Sequence, residues 1–410
     1  MALYGMEYLR KRLETKRIRI RKRYQYYEMK NGVDYFRTLI PREFMYMCEV
    51  LGWCGKAVDN LADRLCFREF SNDNFEMNTI FMMNNRDILH DSAMLCALIA
   101  SCSFVYISPG VDGFPRLQVI DGSDATGISD PITGLLTEGY AVISRKDDKP
   151  DIEAYFLPHV TAYYQNGRLF RQDNHESPYP LLVPITYRPD AKRPFGHSRI
   201  SRACMSIMQG ALRTLMRSEV SAEFYSFPQR YITGLANDAE EEDGAFEPVK
   251  AIMSAFMAFT KDEDGDSPKL GQFNQQSMAP YTEQLRTFAS LFGAETGLTL
   301  DDLGFPTDNP SSAEAIKAAH ESLRLTARKA QRTFGSGFLN VGYLSACVRD
   351  NVAYQREQFY LTTPVWEPVF EPDSAMLSSI GDGVGKINQA VPGYFDKKNL
   401  SVLTGIQPSE

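Results

Sequence analysis

The sequence predicts an α+β protein, with helices and strands in separate stretches of the chain. Three observations predict this class. Short runs rich in Val, Ile, Tyr and Phe, separated by Gly, Asp and Pro, fill residues 103–187. Apolar residues recur at helical spacing on both sides of that stretch. An apolar fraction of 43% and a charged fraction of 23% are ordinary for a globular protein that buries its own core.

The N-terminal segment, residues 8–30, is dense in Arg and Lys. Its apolar residues form only a thin stripe of Leu9, Leu13, Ile18 and Ile20. Such a segment could contact DNA or a membrane surface. It could equally be a solvated helix that packs on a larger body, which is the interpretation we favour.

Two more helices and a β region are expected next. Apolar spacing predicts helices at residues 42–65 and 84–101, and the second leads into a strand at 104–108. Asn166 and Gly167 stand between two strand-like runs and predict a tight hairpin. Residues 103–187 are therefore expected to form an antiparallel β region.

Two long helices with an insertion between them follow the β region. The first is predicted over residues 198–227, because Pro228 ends it, and the second over 280–292. The insertion is a small α/β element, with a strand, a helix and a strand expected at residues 231–233, 246–256 and 257–260. Its acidic residues form two runs, which include Glu240, Glu241, Glu242, Asp243, Asp262 and Asp264.

A loop at residues 293–310 precedes a very long helix that is predicted to run from 311 to 349. The helix opens with a capping box of Ser311 and Glu314, and Gly335 and Gly337 are expected to kink it. The chain then finishes with a short strand and two modest helices, expected at residues 358–361, 374–390 and 397–403.

No constellation of catalytic residues is visible in the sequence. None of the five histidines pairs at a metal-ligand spacing, so no metal site is predicted. The string from Gly381 to Lys386 approaches a phosphate-binding loop. However, Ile380 stands where the first glycine is needed, and Ile387 where Ser or Thr is needed. We therefore predict a protein that is not an enzyme and binds no cofactor.

Charge and cysteine content narrow the function classes further. The net charge of −8 argues against a protein that coats nucleic acid tightly, since such proteins carry a basic excess. Seven cysteines without a C-x-x-C pair predict buried free thiols in a reducing compartment. Neither an apolar run long enough to span a membrane nor a signal peptide is recognised. We expect the protein to be made and kept in the cytoplasm.

Two stretches of the sequence resemble a known family. The first is Phe195-Gly196-His197-Ser198-Arg199-Ile200, with the following helix and its end at residues 223–231. The second is Leu303-Gly304, followed by residues 309–316. Together they resemble the portal proteins of long-tailed double-stranded DNA phages, in the branch whose members lack an enzymatic domain. The resemblance extends over residues 34–405.

The resemblance implies a portal-type fold with a defined division of the chain. Residues 1–197 would hold N-terminal helices and a β-rich wing, and residues 198–228 and 277–292 the two stem helices. The clip would be residues 229–276 and the tunnel loop 293–310. Residues 311–373 would form the long kinked helix and return to the wing, and 374–410 a reduced, helical crown.

The resemblance also implies a role in the virion. Portal subunits form a ring, usually a homododecamer, at one capsid vertex, and double-stranded DNA passes through its channel during packaging and ejection. Partners would be the terminase large subunit, a head-completion or adaptor protein, and the major capsid and scaffolding proteins, with no membrane. Assembly would take place in the host cytoplasm.

Three groups of site residues follow from this resemblance. The tunnel loop would present Asp301, Asp302, Thr307, Asp308 and Asn309 to the DNA. Basic residues that could face the channel, or could instead pair with acids of a neighbouring subunit, are Arg213, Arg217, Arg324 and Arg328. The acidic runs of the clip, named above, would dock partner proteins.

Two other functions remain as alternatives. The chain could be a nucleotide-dependent enzyme that uses Gly381 to Lys386. It could also be a nucleic-acid or membrane adaptor that uses its basic N-terminus.

Overall fold

The computed structural model describes residues 3–32, 50–110, 113–147, 149–226, 230–233, 269–272, 277–306, 318–370, 374–404 and 406. The chain divides into two compact units. The first unit comprises residues 1–31, 52–205 and 292–410, and the second comprises 32–51 and 206–291. Helices and strands occur in separate stretches of the chain, so the α+β class is confirmed.

The first unit opens with four helices and one strand. They are α1 (Met6–Tyr27), α2 (Trp53–Ala62), β1 (Phe67–Ser71), α3 (Met77–Met82) and α4 (Arg86–Ala100). The predicted helix at 84–101 is confirmed. Of the helix predicted at 42–65, the part from Trp53 to Ala62 is present, and residues 42–49 lie outside the described ranges.

The β region forms two antiparallel sheets. Its strands are β2 (Cys102–Ser108), β3 (Arg116–Asp121), β4 (Ala125–Ser129), β5 (Leu136–Lys146), β6 (Lys149–Leu157), β7 (Val160–Gln165), β8 (Arg168–Asn174) and β9 (Leu182–Thr186). One sheet has the order β3-β2-β9, and the other is a meander from β4 to β8. Asn166 and Gly167 join β7 to β8 with φ of 50° and 75°, so the predicted tight hairpin is confirmed.

The second unit contains parts of two long helices and a strand pair. The elements are α5 (Arg202–Ser226), β10 (Arg230–Thr233), β11 (Lys269–Gln272) and α6 (Ala279–Thr296). Within this unit Gly210 makes room for the Phe288 ring, which lies 2.7 Å from where a Cβ would stand. The Thr214 hydroxyl lies 3.1 Å from the Gln284 amide oxygen and donates a hydrogen bond to it.

Several predicted boundaries in this region need correction. The first helix begins at Arg202 rather than residue 198, because the Ser201 hydroxyl accepts a hydrogen bond from the Cys204 backbone N–H at 3.1 Å. The second helix continues to Thr296, four residues into the predicted loop. The strand at 231–233 is present. Its partner β11 was not predicted, and the elements expected at 246–256 and 257–260 lie outside the described residues.

The C-terminal part returns to the first unit. It contains a 3-10 turn (Asp301–Leu303), α7 (Glu321–Asp350), a second 3-10 turn (Arg356–Phe359), β12 (Thr363–Trp366), α8 (Ser374–Ala390) and α9 (Lys397–Thr404). The two terminal helices match their predictions. The strand predicted at 358–361 is wrong, because Gln355 and Gln358 form a reciprocal capping box that winds this segment into a turn. The strand comes later, as β12, and pairs with β1.

The long helix α7 forms the centre of the core. Its Phe334 and Phe338 are fully buried, and Phe338 packs edge-on against the buried His90. The α-helix is unbroken through Gly335 and Gly337, where a kink was expected. These glycines instead admit close neighbours. A Cβ at Gly335 would stand 2.6 Å from the Pro364 side chain.

Gly342, further along α7, has the same role. A Cβ there would lie 2.4 Å from the sulfur of Met77 in α3. Along α7 the apolar residues Leu323, Ala330, Phe334, Phe338 and Val341 are buried, whereas Ala319, before the helix, is exposed. Residues 311–317, including the predicted capping box, lie outside the described ranges.

Candidate functional site

The run from Phe195 to Ile200 forms a junction in the first unit. Arg199 is only 8% exposed, and its Nε donates to the Ala57 carbonyl at 3.2 Å. Its Nη2 donates to the Thr296 carbonyl, where α6 ends. A charged donor inside the protein thus satisfies one carbonyl of α2 and one of the unpaired carbonyls at a helix C-terminus.

Gly196, in the same run, is required by the backbone. Its φ is +74°, and a Cβ there would stand 2.1 Å from the Tyr187 carbonyl oxygen. His197 then turns outward, and its Nε2 lies 2.6 Å from Oδ2 of Asp190. The described contacts of Gly196 and Arg199 therefore position the main chain of this run.

The 3-10 turn after α6 carries two of the predicted tunnel-loop residues. The Asp302 carboxylate accepts hydrogen bonds from the Thr299 backbone N–H and hydroxyl, at 2.9 and 2.8 Å. Trp53 of α2 donates through Nε1 to the Leu303 carbonyl at 3.3 Å. Asp301 is exposed. Residues Thr307, Asp308 and Asn309 lie outside the described ranges.

The electrostatics of Asp302 show an internal role for this carboxylate. Burial would raise the pKa of Asp302, but the hydrogen bonds from Thr299 outweigh it and lower the pKa, helped by the nearby His320. His320 Nδ1 lies 4.0 Å from Oδ2 of Asp302. The predicted tunnel-loop residue Asp302 is therefore built into the turn, whereas Asp301 faces solvent.

The four candidate channel-facing arginines occur in two pairs, each one helical turn apart. Arg213 is partly exposed and Arg217 fully exposed on α5. Arg324 and Arg328 lie on α7. Arg324 binds the Glu321 carboxylate of its own helix through Nε and Nη2, at 2.7 and 2.6 Å. Arg324 was expected to face the channel or to pair with an acid of a neighbouring subunit. Glu321 of the same helix is its partner instead.

The candidate clip residues Glu240, Glu241, Glu242, Asp243, Asp262 and Asp264 all lie outside the described ranges. Their docking role stays a prediction. The strand pair β10–β11 is the described part of this insertion.

The basic N-terminal segment packs on the β meander, which is the interpretation we favoured. In α1, Leu9 and Leu13 are buried, whereas Ile18 is 74% exposed and does not belong to the buried stripe. Arg10 forms two hydrogen bonds with the Glu153 carboxylate, at 3.1 and 2.9 Å. Glu153 is only 6% exposed and also accepts from the Tyr140 hydroxyl.

A second buried carboxylate holds the start of α1. Glu138 is 1% exposed and accepts hydrogen bonds from the backbone N–H groups of Tyr4 and Gly5, at 2.9 and 3.1 Å. Negative charge at a helix N-terminus is favourable because the unpaired N–H groups there carry partial positive charge. Sequence reasoning missed Glu138 and Glu153, since their partners lie more than a hundred residues away.

The glycine string from Gly381 to Lys386 lies inside α8. Backbone N–H groups in the middle of an α-helix are bonded to carbonyls four residues earlier, so they cannot surround a phosphate as a loop does. The geometry offers nothing to support the nucleotide-dependent alternative. Over the described residues, no group of three or more His, Cys, Asp or Glu side chains is arranged to hold a metal ion.

These features define the class of the protein. The side chains described above stabilise the fold: they bind helix ends, turns and the N-terminal helix α1. No described helix has both the length and the apolarity to cross a bilayer.

The family follows from comparison with known proteins. The family model described as phage portal protein, SPP1 Gp6-like, matches residues 7–371. The chain belongs to this family of phage portal proteins, which is a structural family.

Individual relatives agree with the family. The chain is 26% identical over 337 residues to the portal protein of Mycobacterium phage L5, covering 76% of this chain and 68% of that protein. It is 24% identical over 343 residues to the portal protein of Mycobacterium phage D29, covering 78% and 69%.

Solved structures of a gene transfer agent are also similar. The neck of the native particle, computed with C12 symmetry, has a chain with a TM-score of 0.47 and 14% identity. The virion of the native particle has one with a TM-score of 0.44 and 14% identity. Each comparison covers 87% of this chain and 90% of the other. Both TM-scores are below 0.5, so the family assignment rests on the sequence match.

Proposed function

We propose that copies of this chain close into a ring, with twelve as the expected number, around a channel for double-stranded DNA. The ring would occupy one capsid vertex of the virion, where DNA enters during packaging and leaves during ejection. The family match over residues 7–371 carries the proposal, because it extends from α1 to beyond β12.

The surface of the first unit supports association with other chains. Tyr360 is 76% exposed, and Leu325 and Leu361 are about half-exposed, at 55% and 49%. Along the C-terminal helix α8, Met376 and Ile387 are also exposed, at 45% and 42%. Contiguous apolar patches mark surfaces that become buried when proteins associate, and we assign these side chains to contacts between subunits.

The charge of the chain supports a channel that does not grip DNA. Each subunit carries a net charge of −8, so a ring of such subunits is negatively charged overall. Basic residues that neutralise DNA phosphates release the condensed counterions into solution and hold the DNA tightly, and such contacts would slow its passage. A negatively charged bore with few free cations would let a duplex slide. Arg213, Arg217 and Arg328 are the basic side chains we assign to transient contact with the DNA backbone.

Partner docking is assigned to the insertion between the two long helices. Its acidic residues would bind basic surfaces of the terminase large subunit and later of a head-completion or adaptor protein. The β meander and its α1 cover would face the capsid shell, where the major capsid and scaffolding proteins lie. Assembly in the host cytoplasm completes the proposal.

The oligomeric state is the direct test of this function. Native mass spectrometry of the purified protein should give a closed oligomer, and negative-stain images should show rings with a central hole. A chain that stays monomeric at all concentrations and salt conditions would refute the proposal.

The tunnel segment needs a separate test. Replacing Thr307, Asp308 and Asn309 together with alanine should leave ring formation intact and lower DNA packaging into capsids. Asp302→Ala is the contrasting variant, because Asp302 is bonded to Thr299 and its loss should lower stability in the purified protein. Unchanged packaging in the triple variant would show that these residues do not line the channel.

A further inference from the structure

A mixed-polarity groove lies on the first unit. Its volume is about 230 Å³, and it is lined by Arg188, Ser322, Leu325, Thr326 and Lys329. Ser322 and Lys329 each lie three or four positions from the adjacent residues Leu325 and Thr326 in α7, so the four share one face of the helix. Arg188 approaches from the segment that follows β9. The lining thus combines two cations, two hydroxyls and one apolar side chain.

The two cations of this groove have no internal partner. Within the part of the chain that the structure describes, neither the Arg188 guanidinium nor the Lys329 ammonium forms an ion pair or hydrogen bond. Glu321, the acid at the start of the same helix, is bound by Arg324. Two positive charges therefore face one groove without a described carboxylate to balance them.

The backbone at Arg188 gives a second indication. Its φ is +49°, in the left-handed region that residues with a side chain rarely adopt. Unfavourable backbone conformations persist where the surrounding structure enforces them, and they concentrate at functional positions. Here the conformation follows the buried Tyr187 and places an exposed arginine at the groove.

The apolar member of the lining indicates the kind of ligand. Leu325 is 55% exposed beside the two cations. An exposed leucine does not contribute to the binding of phosphate alone. A polypeptide, in contrast, can bury Leu325 under aliphatic carbons while one of its carboxylates binds Arg188 and Lys329. A second copy of this chain has 52 Asp and Glu residues against 44 Lys and Arg, so it offers carboxylates.

We propose that this groove is a subunit interface, in which an acidic side chain of the neighbouring copy binds between Arg188 and Lys329 and buries Leu325. The inference rests on the proposed ring and deepens it, because it assigns one contact between neighbouring subunits. Heterologous contacts of this kind, with a groove on one copy and a different surface on the next, are what a ring requires.

Charge reversal tests the interface. Arg188→Glu and Lys329→Glu should each raise the protein concentration at half-assembly by about tenfold or more in native mass spectrometry at low salt. Arg332→Glu is the matched control, because Arg332 is an exposed cation of the same helix that does not line the groove. Its half-assembly concentration should stay within about twofold of wild type. Circular dichroism melting curves establish that each variant is folded.

The outcomes separate this inference from the proposed function. Wild-type rings together with normal assembly of both groove variants would refute the interface alone, whereas a wild-type monomer would refute the ring and the interface together. Variants that assemble normally but lose binding of inorganic phosphate or a short DNA duplex would overturn the inference in favour of a phosphate site. If a glutamate variant does not fold, Arg188→Gln and Lys329→Gln replace it. They remove the charge with less strain, and they should weaken assembly in the same direction.

Discussion

Arg199 offers the sharpest test of how the Phe195–Ile200 run works. Arg199→Met keeps much of the aliphatic volume but removes the donors to the carbonyls of Ala57 and Thr296. Leaving a buried carbonyl without a partner costs about 1–3 kcal/mol. The Thr296 carbonyl at the end of α6 would lose its partner, whereas the Ala57 carbonyl keeps the Leu61 N–H of its own helix, so we expect the free energy of unfolding to fall by about 2 kcal/mol.

Urea denaturation under conditions that keep the chain unassembled measures this loss. With Trp366 replaced by Phe in every variant, Trp53 fluorescence is a local reporter, because its indole donates to the Leu303 carbonyl in the adjoining turn. Arg202→Met is the matched control. Arg202 is exposed at the start of α5 and has no described partner, so its replacement should change stability by less than about 0.5 kcal/mol.

A second arginine variant refines the result. Arg199→Lys keeps the positive charge but has one compact donor group in place of a planar fork, so it should satisfy only one of the two carbonyls. Its stability should fall between those of wild type and Arg199→Met. Equal stability of Arg199→Met and Arg202→Met would show that the two carbonyl contacts do not hold this junction together.

Two other substitutions test particular residues of the first unit. Gly196→Ala should cost more than about 3 kcal/mol, because the left-handed backbone and the clash with a carbonyl oxygen add together. Gly134→Ala, also left-handed but in open space, should cost about 1 kcal/mol in the same urea assay. Similar losses in the two variants would contradict the clash. For His90, burial lowers the pKa to about 4, so the folded protein favours the neutral ring. Unfolding free energy should be level above about pH 6.5 and fall toward pH 4, by at most about 1.4 kcal/mol per pH unit for this group. The acid-side fall should be smaller in His90→Phe, although His175 has the same shift and keeps part of it. An unchanged slope would show that His90 does not contribute.

Much of the helical architecture could be predicted from periodicity alone. Helix α8 was predicted with its observed bounds, and α5, α6 and most of α7 were predicted within a few residues. The errors at helix ends have a local cause. At the start of α5, the Ser201 hydroxyl caps the Cys204 N–H, and hydrophobic spacing does not detect such a contact.

The contacts that could not be predicted join residues far apart in the chain. No role was predicted for Glu138 or Glu153, and only the docked α1, with its N-terminal N–H groups and Arg10, makes their burial favourable. From the sequence alone, Gly335 suggested a kink. The contact with Pro364 that accounts for this glycine joins residues far apart in the chain, so it could not be predicted. Arg199 belonged to a recognised motif, but its role depends on carbonyls of two other helices.

For the candidate site, the sequence predicted the family more readily than the roles of individual residues. Asp301 and Asp302 were assigned together, yet one is exposed and the other is bonded within its own turn. Arg324 is bound by Glu321 one turn earlier in the helix, a pairing that i,i+3 spacing could have indicated. The docking role of the acidic clip residues remains a prediction.

The glycines of α7 have a mechanical consequence. Pro364 and Met77 fill the spaces beside Gly335 and Gly342, where no side chain intervenes. Sliding the helix by one residue, about 1.5 Å, would drive a neighbouring side chain into each of these contacts. A push on the exposed end at Glu321 therefore cannot be absorbed by movement along the helix axis. The load passes through about 45 Å of helix into the strands and helices around it, so this rod behaves as a fixed strut.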